Sequence, residues 1–134
     1  MGQAPEQGVE ERVVLDTSVC IEVIKNRQLG ISISEQILDK EIFLASVSLF
    51  ELLLRRTNLL AVEELVNRVN LLGFDEKTAR KAAEIAKELN ASGTPIEVKD
   101  IFIAATAIAN NCALATLNTK DFSKIKGLKL VRLT

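Results

Sequence analysis

Four short runs of this chain, residues 12–15 (RVVL), 42–45 (IFLA), 112–117 (CALATL) and 128–133 (LKLVRL), carry little polar interruption and are too short to be buried helices. Longer segments with helical spacing separate them. Strands without strict apolar–polar alternation need cover on both faces, and strands alternating with helices form parallel sheets. The pattern predicts a three-layer α/β/α sandwich around a mainly parallel sheet of four to five strands. Helices are expected at 19–27, 35–40 and 59–70, after a serine cap at Ser46 or Ser48, after a cap at Asp75, and at 97–110. Thr17 or Ser18 is the expected cap of the first helix. Ala79, Ala82, Ala83, Ala86 and Leu89 form a small-residue stripe on the helix after Asp75. Residues 1–11, polar with Pro and Gly, read as a flexible arm. Residues 12–134 read as a single domain, in keeping with a length of 134 residues.

Histidine, tryptophan and tryptophan-like base-stacking platforms are missing from the chemistry available here: the chain has no His, Trp or Tyr and five Phe. Histidine-based acid–base catalysis, Ser–His–Asp and Cys–His triads and His-ligated zinc are thereby excluded. The net charge of −1 gives no global positive field, so nucleic-acid contact would have to be local. Lys120, Lys124, Lys126, Lys129 and Arg132, set against Asp121, make the tail one such patch. Cys20 and Cys112 sit in apolar surroundings without metal-ligand spacing and read as reduced core residues of a cytoplasmic protein. The first residues lack the pattern of a secretory signal, and no apolar run approaches the ~20 residues of a membrane span.

Acidic residues stand in positions where apolar or neutral ones would pack better. Asp16 follows the first strand and precedes Thr17, the place where open α/β sheets bind ligands, although Asp is also a common helix cap. Glu51 interrupts the apolar VSLFELLL and shares a helical face with Val47 and Leu54; the ordinary alternative is an ion pair with Arg55 four residues on. Asp100 lines up with Ile103, Ala104 and Ala107, which favourable interaction with a helix N-terminus alone does not explain. Asn118 and Asp121 are oxygen donors after the third strand, where turn chemistry is the competing account. Acids brought together repel one another unless a cation lies between them. All-oxygen ligation suits Mg²⁺ or Mn²⁺ and disfavours zinc, and such a centre fits phosphodiester cleavage by an activated water. A receiver domain or dehalogenase-like phosphatase is disfavoured, because no second acid follows Asp16 closely.

Asp16-Thr-Ser, Ser48-Leu-Phe-Glu51, Asp100-Ile-Phe-Ile-Ala-Ala and Thr116-Leu-Asn118-Thr-Lys-Asp121-Phe122 occur in that order. With the closing Ile125-Lys-Gly127-Leu128, the set resembles the PIN-domain family, particularly the VapC toxins of VapBC toxin–antitoxin pairs, over residues 12–134. The resemblance implies a Mg²⁺- or Mn²⁺-dependent endoribonuclease with an RNA substrate, often a homodimer, neutralised by a cognate VapB-like antitoxin. Carried over residue by residue, Asp16, Glu51 and Asp100 match the metal-binding core acids. Asn118 stands where many members have an acid, leaving Asp121 as the candidate fourth catalytic carboxylate and a second metal open. Thr17 and Thr116 match polar positions lining the site. The alternative, motivated by Asn118, is a PIN-like RNA- or protein-binding module without catalysis. The surface between Leu59 and Leu72 is the expected partner-binding region.

Overall fold

A computed structural model describes residues 11–134. The expected flexible arm therefore lies, except for Glu11, outside the described residues. One five-stranded sheet has the order β3-β2-β1-β4-β5, with every neighbouring pair parallel. Its strands are β1 (Arg12–Leu15), β2 (Glu41–Ala45), β3 (Asn70–Leu72), β4 (Ala113–Ala115) and β5 (Leu130–Val131). Seven helices are seen among the described residues: α1 (Thr17–Lys25), α2 (Gln28–Gln36), α3 (Ser46–Leu53), α4 (Leu59–Arg68), α5 (Glu76–Ala91), α6 (Val98–Ala109) and α7 (Thr119–Phe122).

Successive strand residues divide between two apolar layers, as the period of a strand requires. Val14, Phe43 and Leu114 face α5, α6 and α7, where Ala82, Ile85, Leu89, Ile103 and Phe122 complete one core. Val13, Leu15, Leu44 and Ala115 face the opposite way, onto Val19, Ile24, Ile33, Leu52, Val62 and Leu65. Strands buried on both sides are why the central runs carry no strict polar alternation, and the three-layer expectation holds. Cys20 and Cys112 are free and buried, one in each layer. Burial raises both thiols above the ordinary cysteine range, and the Asp16 charge adds to the effect at Cys20, so both stay protonated.

Several local expectations are corrected. The second helix covers Gln28–Gln36 rather than 35–40, because Gly30 lets it lie directly against α1. A Cβ at Gly30 would come within 2.0 Å of the Glu22 carbonyl oxygen. The helix from Leu59 stops at Arg68 instead of Asn70, and Asn70–Leu72 adds the short edge strand β3 to β2. Thr119–Phe122, read as loop, forms a single helical turn. The α1 cap is Asp16 rather than Thr17 or Ser18, and Ala45 precedes α3 without help from either serine. Ser46 donates instead to the Leu72 carbonyl at 3.0 Å. Asp75 does cap α5, accepting from the Thr78 amide. The inward stripe of α5 is Thr78, Ala82, Ile85 and Leu89, leaving Ala79 and Ala83 exposed. Four residues at one helical period bury better there than the alanines one step round.

Strand order reverses between β1 and β4. Connections from β1 run outward through β2 to β3, and the chain then returns to place β4 and β5 on the other side. In open parallel sheets this reversal opens a crevice beyond the carboxyl ends of the strands. Asp16 and Thr116 follow the two strands that flank it.

Candidate active site

Asp16 leaves β1 still tied to the sheet, its amide donating to the Ala115 carbonyl at 2.9 Å. Only 5% of the residue is exposed. A carboxylate so buried needs polar partners. Thr116 Oγ1 donates to Asp16 Oδ2 at 2.7 Å, and Ser18 Oγ donates to the same oxygen at 2.9 Å. The Asn118 amide in turn donates to Thr116 Oγ1 at 2.9 Å, which orients the threonine hydroxyl toward Asp16.

Glu51 reaches the crevice from α3. Thr17 Oγ1 lies 2.7 Å from Glu51 Oε1, to which it donates, and 2.9 Å from the hydroxyl of the fully buried Ser48. Lys99, in the first turn of α6, donates to Glu51 Oε2 at 2.7 Å. Glu51 thus pairs with Lys99 and not with Arg55, the ordinary alternative read from the sequence. Leu54 is exposed, so Glu51 does not share a packed apolar face with it; the carboxylate sits on the Ser48 side of α3. The hydrogen bond and charge of Glu51 hold the Lys99 ammonium above the ordinary lysine range.

Asp100 begins the buried face of α6, in line with Ile103, Ala104 and Ala107 as expected. Its carboxylate accepts no hydrogen bond from another described residue. Its pKa is pushed up to about 6, first by burial and then by the charges of Asp16, Glu97, Asp121 and Glu51. Asp100 thus feels the charges of the other three candidate acids, and of Glu97 besides. On the far side, Asn118 Nδ2 donates to Asp121 Oδ2 at 3.2 Å, and Lys124 lies 3.5 Å from Asp121 Oδ1. The Asn118 bond, and then Lys124 and Lys120, hold Asp121 below the ordinary carboxylate range. Asn118 and Asp121 are therefore joined by a hydrogen bond at this edge of the crevice.

Every donor is oxygen, and Asp16 Oδ1 and both Asp100 oxygens are free of hydrogen bonds from the described residues. The mutual repulsion felt at Asp100 is of the kind that a cation relieves. As the side chains stand, no group of three acids or cysteines among the described residues is gathered in ligating geometry. Glu51 is held by Thr17 at one carboxylate oxygen and by Lys99 at the other. In chemistry the residues fit a hard, oxygen-seeking ion.

Sequence reasoning passed over Lys99, Glu97, Ser18 and the site role of Ser48. Two of these had a signal. Ser48 is three residues before Glu51 on one helical face, and Lys99 is a base in the first turn of a helix, where the helix end disfavours positive charge.

Residues 13–128 match the PIN domain family. The chain is 29% identical over 125 residues to the tRNA(fMet)-specific endonuclease VapC of Shigella flexneri, covering 88% of this chain and 95% of that protein. It is 29% identical over 125 residues to ribonuclease VapC1 of Haemophilus influenzae strain R2866, covering 87% and 93% respectively. The fold superposes on the crystal structure of DNA-bound VapBC from Salmonella typhimurium with a TM-score of 0.82 at 27% identity, covering 92% of this chain and 98% of that one.

Proposed function

The chain belongs to the PIN domain family, and from that premise we propose that it is a Mg²⁺- or Mn²⁺-dependent endoribonuclease, the VapC-like toxin of a toxin–antitoxin pair. The observation that carries the reading is the crevice itself, where Asp16, Glu51, Asp100 and Asp121 come from four different elements to one sheet switch point. Relatives named as VapC ribonucleases along nearly their whole length support the activity. Asp16, Glu51 and Asp100 would hold the cation, which would supply charge stabilisation to the phosphate and a more acidic water.

The chain's own residues divide the remaining work. Ser18 and Thr116 occupy Asp16 Oδ2 and so fix Asp16 Oδ1 toward the crevice. Thr17, braced by Ser48, sets the rotamer of Glu51. Asp100 has a pKa raised by burial and by the facing acids only while no cation lies among them; a bound cation would offset that repulsion and keep its carboxylate ionised as a ligand. Asn118 and Lys124 keep Asp121 ionised at the edge of the site.

A VapB-like antitoxin is the partner that fits, since the Salmonella typhimurium structure on which the fold superposes is itself a VapBC complex. A cleft of about 490 Å³ between α1, α2 and α4, lined by Val23, Ile31, Leu38, Ala61, Leu65 and Arg68, is available to such a partner. It lies on the α4 part of the surface expected from sequence. Exposed Phe50, Leu53 and Leu54 on α3 offer a face for self-association into a homodimer. No helix among the described residues is long and apolar enough to cross a membrane.

The test is cleavage of single-stranded RNA in Mg²⁺ by Asp16→Asn and Asp100→Asn proteins. Each is expected to lose at least about a hundredfold in rate, the scale of removing one key charge-stabilising group, while keeping the native circular dichroism spectrum. Undiminished cleavage by both would refute the assignment.

A further inference from the structure

Both carboxylate oxygens of Glu51 accept a hydrogen bond in this conformation. Thr17 takes Oε1 at 2.7 Å and Lys99 takes Oε2 at 2.7 Å. The Lys99 position is electrostatically odd, because the first turn of α6 carries the partial positive charge of the helix, where a cation is disfavoured. What offsets that cost is the surrounding acid: Glu97 and Asp100 flank Lys99 in sequence, and Glu51 binds it directly. The lysine side chain is 49% exposed, whereas that of Glu51 is 20% exposed. One partner is therefore held in the crevice while the other can swing into water on a flexible stem. Pairs this exposed are held weakly, so the exchange costs little.

We propose that Lys99 is a built-in competitor for the cation site, occupying Glu51 in the metal-free protein and giving up Oε2 when a divalent cation binds. The role rests on the metal-dependent reading of the site. Lys99 neutralises part of the acid cluster and keeps Glu51 ordered at low metal concentration, and it raises the concentration at which the cation takes over. It is a positioning residue, acting on Glu51 rather than on RNA.

The experiment is Mn²⁺ binding to the full chain, followed by calorimetry and by the electron paramagnetic resonance signal of free Mn²⁺, without RNA. Lys99→Met removes the competitor and is expected to tighten Mn²⁺ binding roughly 1.5-fold to fivefold, the range an exposed pair can contribute. Lys99→Arg, which keeps the pair, should bind as the natural protein does. Lys87→Met, at an exposed lysine of α5, serves as the control for a general loss of positive charge and should change binding less than Lys99→Met. In the natural protein, the Lys99 side-chain ¹⁵Nζ resonance should move to free-lysine values as Mg²⁺ saturates the site, a readout that needs no variant. Equal tightening by Lys99→Met and Lys87→Met, unchanged binding in Lys99→Met, or an unmoved Lys99 resonance at saturation would each overturn the proposal while leaving metal dependence standing. Absence of Mn²⁺ binding by every protein would overturn both.

Discussion

Asp100 shows how one residue can be costly to the fold and useful to the site. Burial and four neighbouring acids raise its pKa to about 6 from an ordinary 3.8. A carboxyl whose folded value is raised binds its proton more tightly in the native state. Stability from this group is therefore fully present below about pH 4 and falls as pH rises through 6. Asp100→Asn, which cannot ionise, should make the metal-free protein more stable at pH 7.5 by on the order of 1 kcal/mol, allowing for solvent screening of a partly exposed group. The gain should vanish near pH 3.5. Urea unfolding at the two pH values measures it, and an equal effect at both would show that charge repulsion is not the cause. Asp100 has no such hydroxyl donors as Ser18 and Thr116 supply to the buried carboxylate of Asp16.

At the scale of elements, the crevice depends on how closely the helices pack on β1. Gly30 allows α2 to rest on the backbone of α1, with an added Cβ only 2.0 Å from the Glu22 carbonyl oxygen. Backbone cannot yield as a flexible side chain does, so Gly30→Ala should destabilise the fold by about 1–3 kcal/mol, the usual range for overpacking. A shifted urea midpoint with unchanged slope would bear this out; an unaltered midpoint would not. The same glycine explains a failure of sequence reading. Gly30, Ser32 and Ser34 weaken the helical signal over residues 28–36, and the helix is set by tertiary packing instead. Strands β1, β2 and β4 were legible because both faces are buried, whereas β3 is a three-residue edge strand with exposed Asn70 and Leu71. At the site, Asp16 and Asp100 were legible from their place at a strand end and on a packed helical face. The Glu51–Lys99 pair was not, since it joins residues 48 apart that only the fold brings together.

Across the whole molecule, a chain with a net charge of −1 and no histidine concentrates its chemistry at one end of the sheet. Two hydrogen-bonded arms meet there. One runs from Asp121 through Asn118 and Thr116 to Asp16, and the other from Lys99 through Glu51 to Thr17 and Ser48. Asp100 lies where the charges of both are felt. The cleft among α1, α2 and α4 is built from different residues, so it and the acidic crevice are separate surfaces of one frame. The central claim is that the acidic crevice works only around a divalent cation. Its most direct test is the rate of cleavage of a fluorescently labelled single-stranded RNA by the chelator-stripped protein as Mg²⁺ is returned. The account predicts no cleavage above background without metal and a saturable rise as Mg²⁺ or Mn²⁺ is added. Cleavage at full rate in excess chelator would contradict it.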